Sequence, residues 1–312
     1  MDSVRDLFFL FLKGMAMGAA DVVPGVSGGT IAFISGIYEK LIHSIKGLTP
    51  AKLLILKNQG IKPFWTSING TFLAVLGAGV LGSIISLAHL ITWLMKTYPE
   101  MLWSFFFGLV ISSAILIFRQ LEKVNASAII SIVIGFALSW NLNKITPTTA
   151  TDPNLLMVFT SGAIAICAMI LPGISGAFIL LILGMYEYVI EALKSIQIDV
   201  VLVFAIGCAT GLILFSRLLS LMFLHMRHAT LALLTGFMLG SLNKIWPWKL
   251  TLETTTDRHG QIVPLIQENI SPLNYEALTS QNPFLWQGAL LMICAFLLVG
   301  GLEKLKTCLE DS

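Results

Sequence analysis

The chain has 312 residues, of which 56% are hydrophobic and only 12% charged, and its mean hydropathy is +0.86. A soluble domain carries about 25% charged residues, so these totals exclude one and define an integral membrane protein solvated by lipid. The formal net charge of +2 gives no basis for a nucleic-acid partner, and in a membrane chain the placement of cations matters more than their sum.

In chain order, the N-terminus reads as retained rather than as a cleaved signal. Asp2 and Asp6 flank the single Arg5, and Lys13 interrupts the apolar run. Apolar arms over 7–22 and 30–43 then surround Pro24-Gly25-Val26-Ser27-Gly28-Gly29. A proline followed by glycines ends a straight helix, which leaves a broken crossing or a re-entrant hairpin over 7–43. The next segment carries Lys40, Lys46, Lys52, Lys57 and Lys62. Apolar runs over 71–95, 102–118 and 126–142 follow, close to the ~20 residues that a bilayer requires. A second pair of arms over 155–193 flanks Pro172-Gly173-Ile174-Ser175-Gly176. Three more runs cover 200–224, 229–246 and 284–301. The polar stretch 249–283 reads as an external loop, with Trp246, Trp248 and Trp286 at positions suited to an aromatic belt.

The two proline-glycine stretches are copies. From Pro24–Glu39 to Pro172–Glu187, nine of sixteen positions are identical at a shift of 148. The chain therefore divides into a first repeat over 1–150 and a second over 151–312. Lysine placement selects the hairpin over the broken crossing. With both hairpins re-entrant and three spans after each, the two termini lie in the cytoplasm, and eleven Lys/Arg fall inside against six outside. Three crossings per repeat turn the second half upside down. The expected fold is thus an all-α integral membrane protein with inverted repeats, each a re-entrant helical hairpin plus three transmembrane helices. Inverted repeats with broken helices meeting at mid-depth are a transporter architecture.

Irregular backbone at membrane depth is tolerated only where protein or a cavity surrounds it. Gly25, Gly28 and Gly29 permit close approach of a ligand, and Ser27 suits an N-cap. The amides near Gly28, Gly29 and Thr30 are expected to face the turn and attract an anion, phosphate above all. Ser175, Gly176 and Ala177 offer the same in the second copy, beside Pro172 and Gly173. The competing reading is that the glycines only let two arms pack tightly. Lys13 and Arg217 stand inside apolar runs, where charge is costly and usually functional; each is a candidate for an anionic head group, against simple snorkelling. Asp21 has no acidic match in the second copy, where Met169 stands, and is a candidate for a coupling ion or proton. Glu39 and Glu187 are further candidates, against a plain anchoring role.

Asp21 to Glu39 and Leu171 to Glu187 resemble the two signatures of the bacterial PopT-type undecaprenyl phosphate transporters, formerly a family of unknown function. The signature positions are Asp21, Pro24, Gly25, Ser27, Gly28, Gly29, Thr30, Gly36, Tyr38 and Glu39, then Pro172, Gly173, Ser175, Gly176, Gly184, Tyr186 and Glu187. The second signature lacks the Gly-Gly-Thr of the first, so the half-sites are expected to differ. The resemblance implies a transporter, not an enzyme, in the bacterial cytoplasmic membrane. It would return the lipid carrier undecaprenyl phosphate from the outer to the inner leaflet for reuse in peptidoglycan and other envelope polymers, with H+ or Na+ as a coupling ion.

Two rival readings remain. One is a secondary transporter of another anion on the same scaffold. The other is an intramembrane serine protease, because Gly25–Gly28 and Gly173–Gly176 both fit Gly-x-Ser-Gly; it would need a histidine base, and only His89 lies well within a span. Cys167, Cys208, Cys294 and Cys308 form no CxxC and no metal-ligand spacing. No cofactor or metal is expected.

Overall fold

The computed structural model describes residues 4–23, 26–121, 124–145, 153–256 and 262–310. It is 78% helix. The first half runs α1 (Val4–Val22), α2 (Gly28–Ile34), α3 (Tyr38–Lys46), α4 (Pro50–Gln59), α5 (Ile61–Ser67), α6 (Gly70–Thr97), α7 (Pro99–Arg119) and α8 (Ala126–Leu142). The second runs α9 (Leu155–Ile170), α10 (Gly176–Ile182), α11 (Tyr186–Lys194), α12 (Ile198–His225) and α13 (Arg227–Ser241). It continues through β1 (Lys249–Thr256), β2 (Ile262–Asn269), α14 (Tyr275–Thr279) and α15 (Leu285–Glu310). By length and composition α6, α7 and α12 can each cross a bilayer, while α8, α9 and 285–301 of α15 are apolar but shorter. Large side chains such as Leu81, Ile85, Ile206 and Leu214 are exposed on α6 and α12, as lipid-facing surface requires.

The all-α expectation is corrected at one place. The polar stretch after Trp248 forms an antiparallel hairpin, pairing Lys249 with Asn269 and Thr256 with Ile262, with register shifts around Glu253. Its threonines and Ile262, Val263 and Ile266 are β-branched residues that fit a pleated strand. The run expected over 229–246 is helical only to Ser241. There Lys244 N–H turns back onto the Ser241 carbonyl, and Pro247 offers no N–H to extend the helix.

The second arm of each expected hairpin is also not one helix. Gly36 and Gly184 adopt φ of 71° and 70°. In each case the glycine N–H and the next N–H bond back into the preceding turn: Gly36 to Phe33 and Ile37 to Ala32, Gly184 to Leu181 and Met185 to Leu180. This is the Schellman closure, which needs a left-handed residue. The break turns α11 by 108° from α10. The two signature glycines at 36 and 184 are thus helix stops, and Glu39 and Glu187 lie in the first turn of the next helix, α3 and α11.

Several helices correspond between the halves, while α4 and α5 have no counterpart in the second. α2 matches α10 in length, α3 matches α11, and the long α6 matches the long α12. Tyr98 follows α6 and Met226 follows α12. These two corner residues share φ near −138° and close the preceding helix alike, by N–H bonds to Leu94 and Met222. Proline follows only the first of them, so packing sets this corner. α1 packs on α6 as α9 packs on α12, and α7 packs on α15 as α8 packs on α13. The last two contacts join one half to the other. The crossings use matched glycines. A side chain at Gly79 would strike the Phe11 carbonyl, and one at Gly207 would strike the carbonyl of Phe159, the counterpart of Phe11 in the second half. Gly207→Val should therefore push α9 from α12 at a cost of about 1–3 kcal/mol. The check is the thermal unfolding midpoint of purified protein, which should fall; an unchanged midpoint would show that this crossing yields.

The core lies where α2, α7 and α13 meet. All seven residues of α2 are buried, an unusual state for a helix with two glycines and a threonine. Around it stand Val110, Ala114 and Ile117 of α7 and Leu231, Leu234 and Met238 of α13.

Candidate functional site

The two signature turns meet inside this core. Ser27, 1% exposed, caps α2 by accepting the Gly29 N–H at 3.1 Å and donates its own proton to the Met169 carbonyl at 3.0 Å. Thr30, fully buried, accepts the Gly173 N–H at 3.1 Å. Two hydrogen bonds thus join turns from opposite halves of the chain. Gly29 makes the approach close enough: a Cβ there would lie 2.5 Å from the Ile170 carbonyl oxygen. Gly173 has φ of +84° and sits against Phe237, Met238 and Ser241 of α13, where a Cβ would come within 2.9 Å of the Ser241 hydroxyl. Here the glycines serve turn geometry and close packing at once.

The amides expected to face the turn as an anion cradle are already engaged. Gly28 N–H donates to the Asp21 carboxylate at 2.7 Å, Gly29 N–H to Ser27 Oγ, and Thr30 N–H to the Ser27 carbonyl. The first turn thus holds an anion of its own, supplied by Asp21. A Cβ on Gly28 would lie 2.6 Å from that carboxylate. The second turn differs. Ser175 is half-buried, makes no side-chain cap bond to α10, and Ala177 is exposed. The half-sites are unequal, in keeping with the missing Gly-Gly-Thr.

The other expected site residues are dispersed. Lys13 donates to the Ser35 carbonyl at 2.8 Å, so it closes the far end of α2. Arg217 is exposed on α12, next to the buried Ser216, and no hydrogen bond or ion pair joins it to either turn among the described residues. Glu39 pairs with Arg227 at 2.9 Å with both side chains more than half exposed, a contact of small energetic weight. Glu187 is exposed at the start of α11. Pro172 and Gly176 stand at the second turn and are buried; Pro24 and Gly25 lie outside the described residues.

The protease reading finds no support in this geometry. The Ser27 hydroxyl is committed to a backbone carbonyl and a backbone amide, and His89 is exposed on α6. A fluorophosphonate probe should label neither Ser27 nor Ser175; a labelled serine would restore the rival.

Sequence reading missed several partners. Glu100, 4% exposed, accepts from Tyr275 Oη at 2.5 Å, which ties α7 to α14. Lys46 donates to Ser220 at 3.0 Å and fastens α3 to α12. Tyr38 is buried between Phe33 and Phe223 with no hydrogen-bond partner for its hydroxyl. Lys244 and Lys249 lie half-buried over the rings of Phe178 and Trp103. Of these only the lysines left a trace in the sequence, a Lys-Ile-Trp-Pro-Trp-Lys run that reads as a simple aromatic belt.

A chain of long apolar helices whose two signature segments are joined in a buried seam is a multi-pass membrane protein. Residues 17–263 match the profile of the undecaprenyl phosphate translocase-like family, and the chain belongs to that family. It is 50% identical over 295 residues to the polyprenyl-phosphate transporter of Vibrio cholerae, covering 94% of this chain and 95% of the relative. It is 34% identical over 256 residues to the polyprenyl-phosphate transporter of Staphylococcus aureus, covering 76% and 85%. Both relatives are named as transporters, not enzymes. No solved structure matches the chain.

Proposed function

We propose that this protein carries undecaprenyl phosphate from the outer to the inner leaflet of the bacterial cytoplasmic membrane, as the relatives' name of polyprenyl-phosphate transporter suggests. The two halves are inverted repeats, both hairpins are re-entrant, and both termini are cytoplasmic. The lysine distribution supports that orientation. The observation that carries the reading is the buried seam between the turns, where Ser27 and Thr30 of one half bond to Met169 and Gly173 of the other. A transporter that rocks one half against the other needs its substrate at such a seam.

In this reading the Asp21 carboxylate holds the place of the substrate's phosphate on the Gly28 N–H. Protonation of Asp21 weakens its hold on that amide and lets the phosphate take it. Ser27, Gly29 and Thr30 close on the head group from one side, and Ser175, Gly176 and Gly173 from the other. Inward rocking opens the seam, the phosphate leaves, and Asp21 gives up its proton to the cytoplasm. A proton thus travels inward with each lipid. Arg217, on the exposed side of α12 about two turns from its end, steers the phosphate while the tail stays in lipid. Lys13 holds the α2 end rigid through Ser35.

The test is a leaflet assay in proteoliposomes with a fluorescent short-chain polyprenyl phosphate. Protein should accelerate its loss from the outer leaflet, and an inwardly directed proton gradient should raise the rate. No acceleration over protein-free vesicles would overturn the transport reading. Acceleration that responds to sodium and not to protons would overturn the role given to Asp21.

A further inference from the structure

A second basic site stands apart from the seam, at the end of α13 and the start of the β-hairpin. Lys249 Nζ lies 4.7 Å from the centre of the Trp103 ring on α7 and donates to the Lys244 carbonyl at 2.5 Å. Lys244 Nζ lies 4.6 Å from the centre of the Phe178 ring on α10. Trp246 packs against Phe107 and Trp248, and its indole N–H is anchored on the Ile270 carbonyl. Two ammonium groups are thus held half-buried among aromatic rings. Among the described residues neither has a carboxylate at ion-pair distance. The nearby acid on α7, Glu100, is engaged by Tyr275, and Glu268 on β2 is exposed and paired across the strands with Leu250.

This arrangement is costly without a ligand. Burial, with the neighbouring Lys244 charge added, pulls the Lys249 ammonium from 10.5 down to about 7, and burial lowers Lys244 as well. Cation–π contacts return part of that cost, and an anion seated between the two ammonium groups would relieve the rest. The site also has a direction. Phe178 belongs to α10, the helix that follows the second turn, and α13 packs on Gly173 of that turn through Ser241, just before Lys244. A head group held here is one short helix from the seam.

We infer that Lys244 and Lys249, with Trp103 and Phe178, form a receiving site for the phosphate monoester head of an isoprenoid lipid before it reaches the turns. The inference rests on the transport reading and adds the place where the substrate is first held. Two lysines match a doubly charged monoester better than a diester. The rings give the first isoprene units an apolar surface.

The test uses the purified full-length protein with farnesyl phosphate as probe and its tryptophan fluorescence as signal. Wild type should bind saturably. The Lys244→Gln/Lys249→Gln double variant should bind at least tenfold more weakly and Lys244→Arg/Lys249→Arg close to wild type, with farnesol affinity alike in all three. Wild type also serves without mutation: farnesyl phosphate, and not farnesol, should slow acetylation of Lys249 by an amine-reactive ester, read by mass spectrometry. Undiminished binding by the glutamine variant, or acetylation indifferent to farnesyl phosphate, would overturn the inference. Inorganic phosphate that competes as well as farnesyl phosphate would assign the site to free phosphate and overturn the lipid source. The leaflet assay separates the two readings. Lipid movement with unprotected lysines removes only this site, and protected lysines without lipid movement remove only the transport reading.

Discussion

Asp21→Asn should leave the protein folded and uncouple lipid transport from protons, with transport kept when no gradient is applied and the response to a proton gradient gone. The asparagine keeps an oxygen for the Gly28 N–H, now bonded at 2.7 Å, so the turn keeps its shape. Two things change. A neutral acceptor replaces a charged one, and the bond is weaker by about 1–1.5 kcal/mol, so the phosphate displaces it more readily, by about tenfold in the equilibrium. The group also no longer titrates, so its release from Gly28 can no longer be tied to proton uptake. The leaflet assay run with and without a pH gradient reads both effects. A variant that keeps its gradient response would show that the proton is carried elsewhere, with the other candidate acids Glu39 and Glu187 next to be substituted.

The second large effect is expected at Gly29. Gly29→Ala would place a methyl group 2.5 Å from the Ile170 carbonyl oxygen. Every residue of α2 is buried, and Ser27 and Thr30 tie it to Met169 and Gly173, so the helix has nowhere to retreat. Overpacking of this kind costs about 1–3 kcal/mol. Loss of the two cross-turn bonds adds about 0.5–1.5 kcal/mol each. The expected result is a large fall in the thermal midpoint and little transport. The contrast is built into the chain, because the equivalent position in the second half is already an alanine, the exposed Ala177. Ala177→Gly should change little. Equal tolerance at both positions would mean that the two turns do not press together as described.

The sequence made the duplication legible, because nine identities in sixteen need no structure to be counted. It also made the breaks legible, since proline and glycine act locally on the backbone. What escaped was non-local. The amides near Gly28 were expected to be open because nothing in a linear reading tells where the side chain of Asp21, one loop earlier, will fold back. Lys13 reaches the far end of α2 at Ser35, and that end depends on Gly36 adopting φ of 71°. Gly36 and Gly184, matched glycines with φ of 71° and 70°, carry the signal for this end in both halves. The β-hairpin was hidden because its threonines and charges resemble those of a polar loop. Lys244 and Lys249 were hidden because the rings that cover them, Phe178 and Trp103, come from α10 and α7, elements far from them along the chain.

The central claim is that two turns from opposite halves meet in one buried place and open together as the lipid phosphate passes. Single cysteines at Val26 and Ile174, equivalent positions that are 2% and 6% exposed, test it most directly with a membrane-impermeant maleimide applied from each side. The account predicts slow labelling at both in the resting protein, with farnesyl phosphate changing the two rates together. Rapid labelling of one only from outside and of the other only from inside, unaffected by farnesyl phosphate, would contradict it.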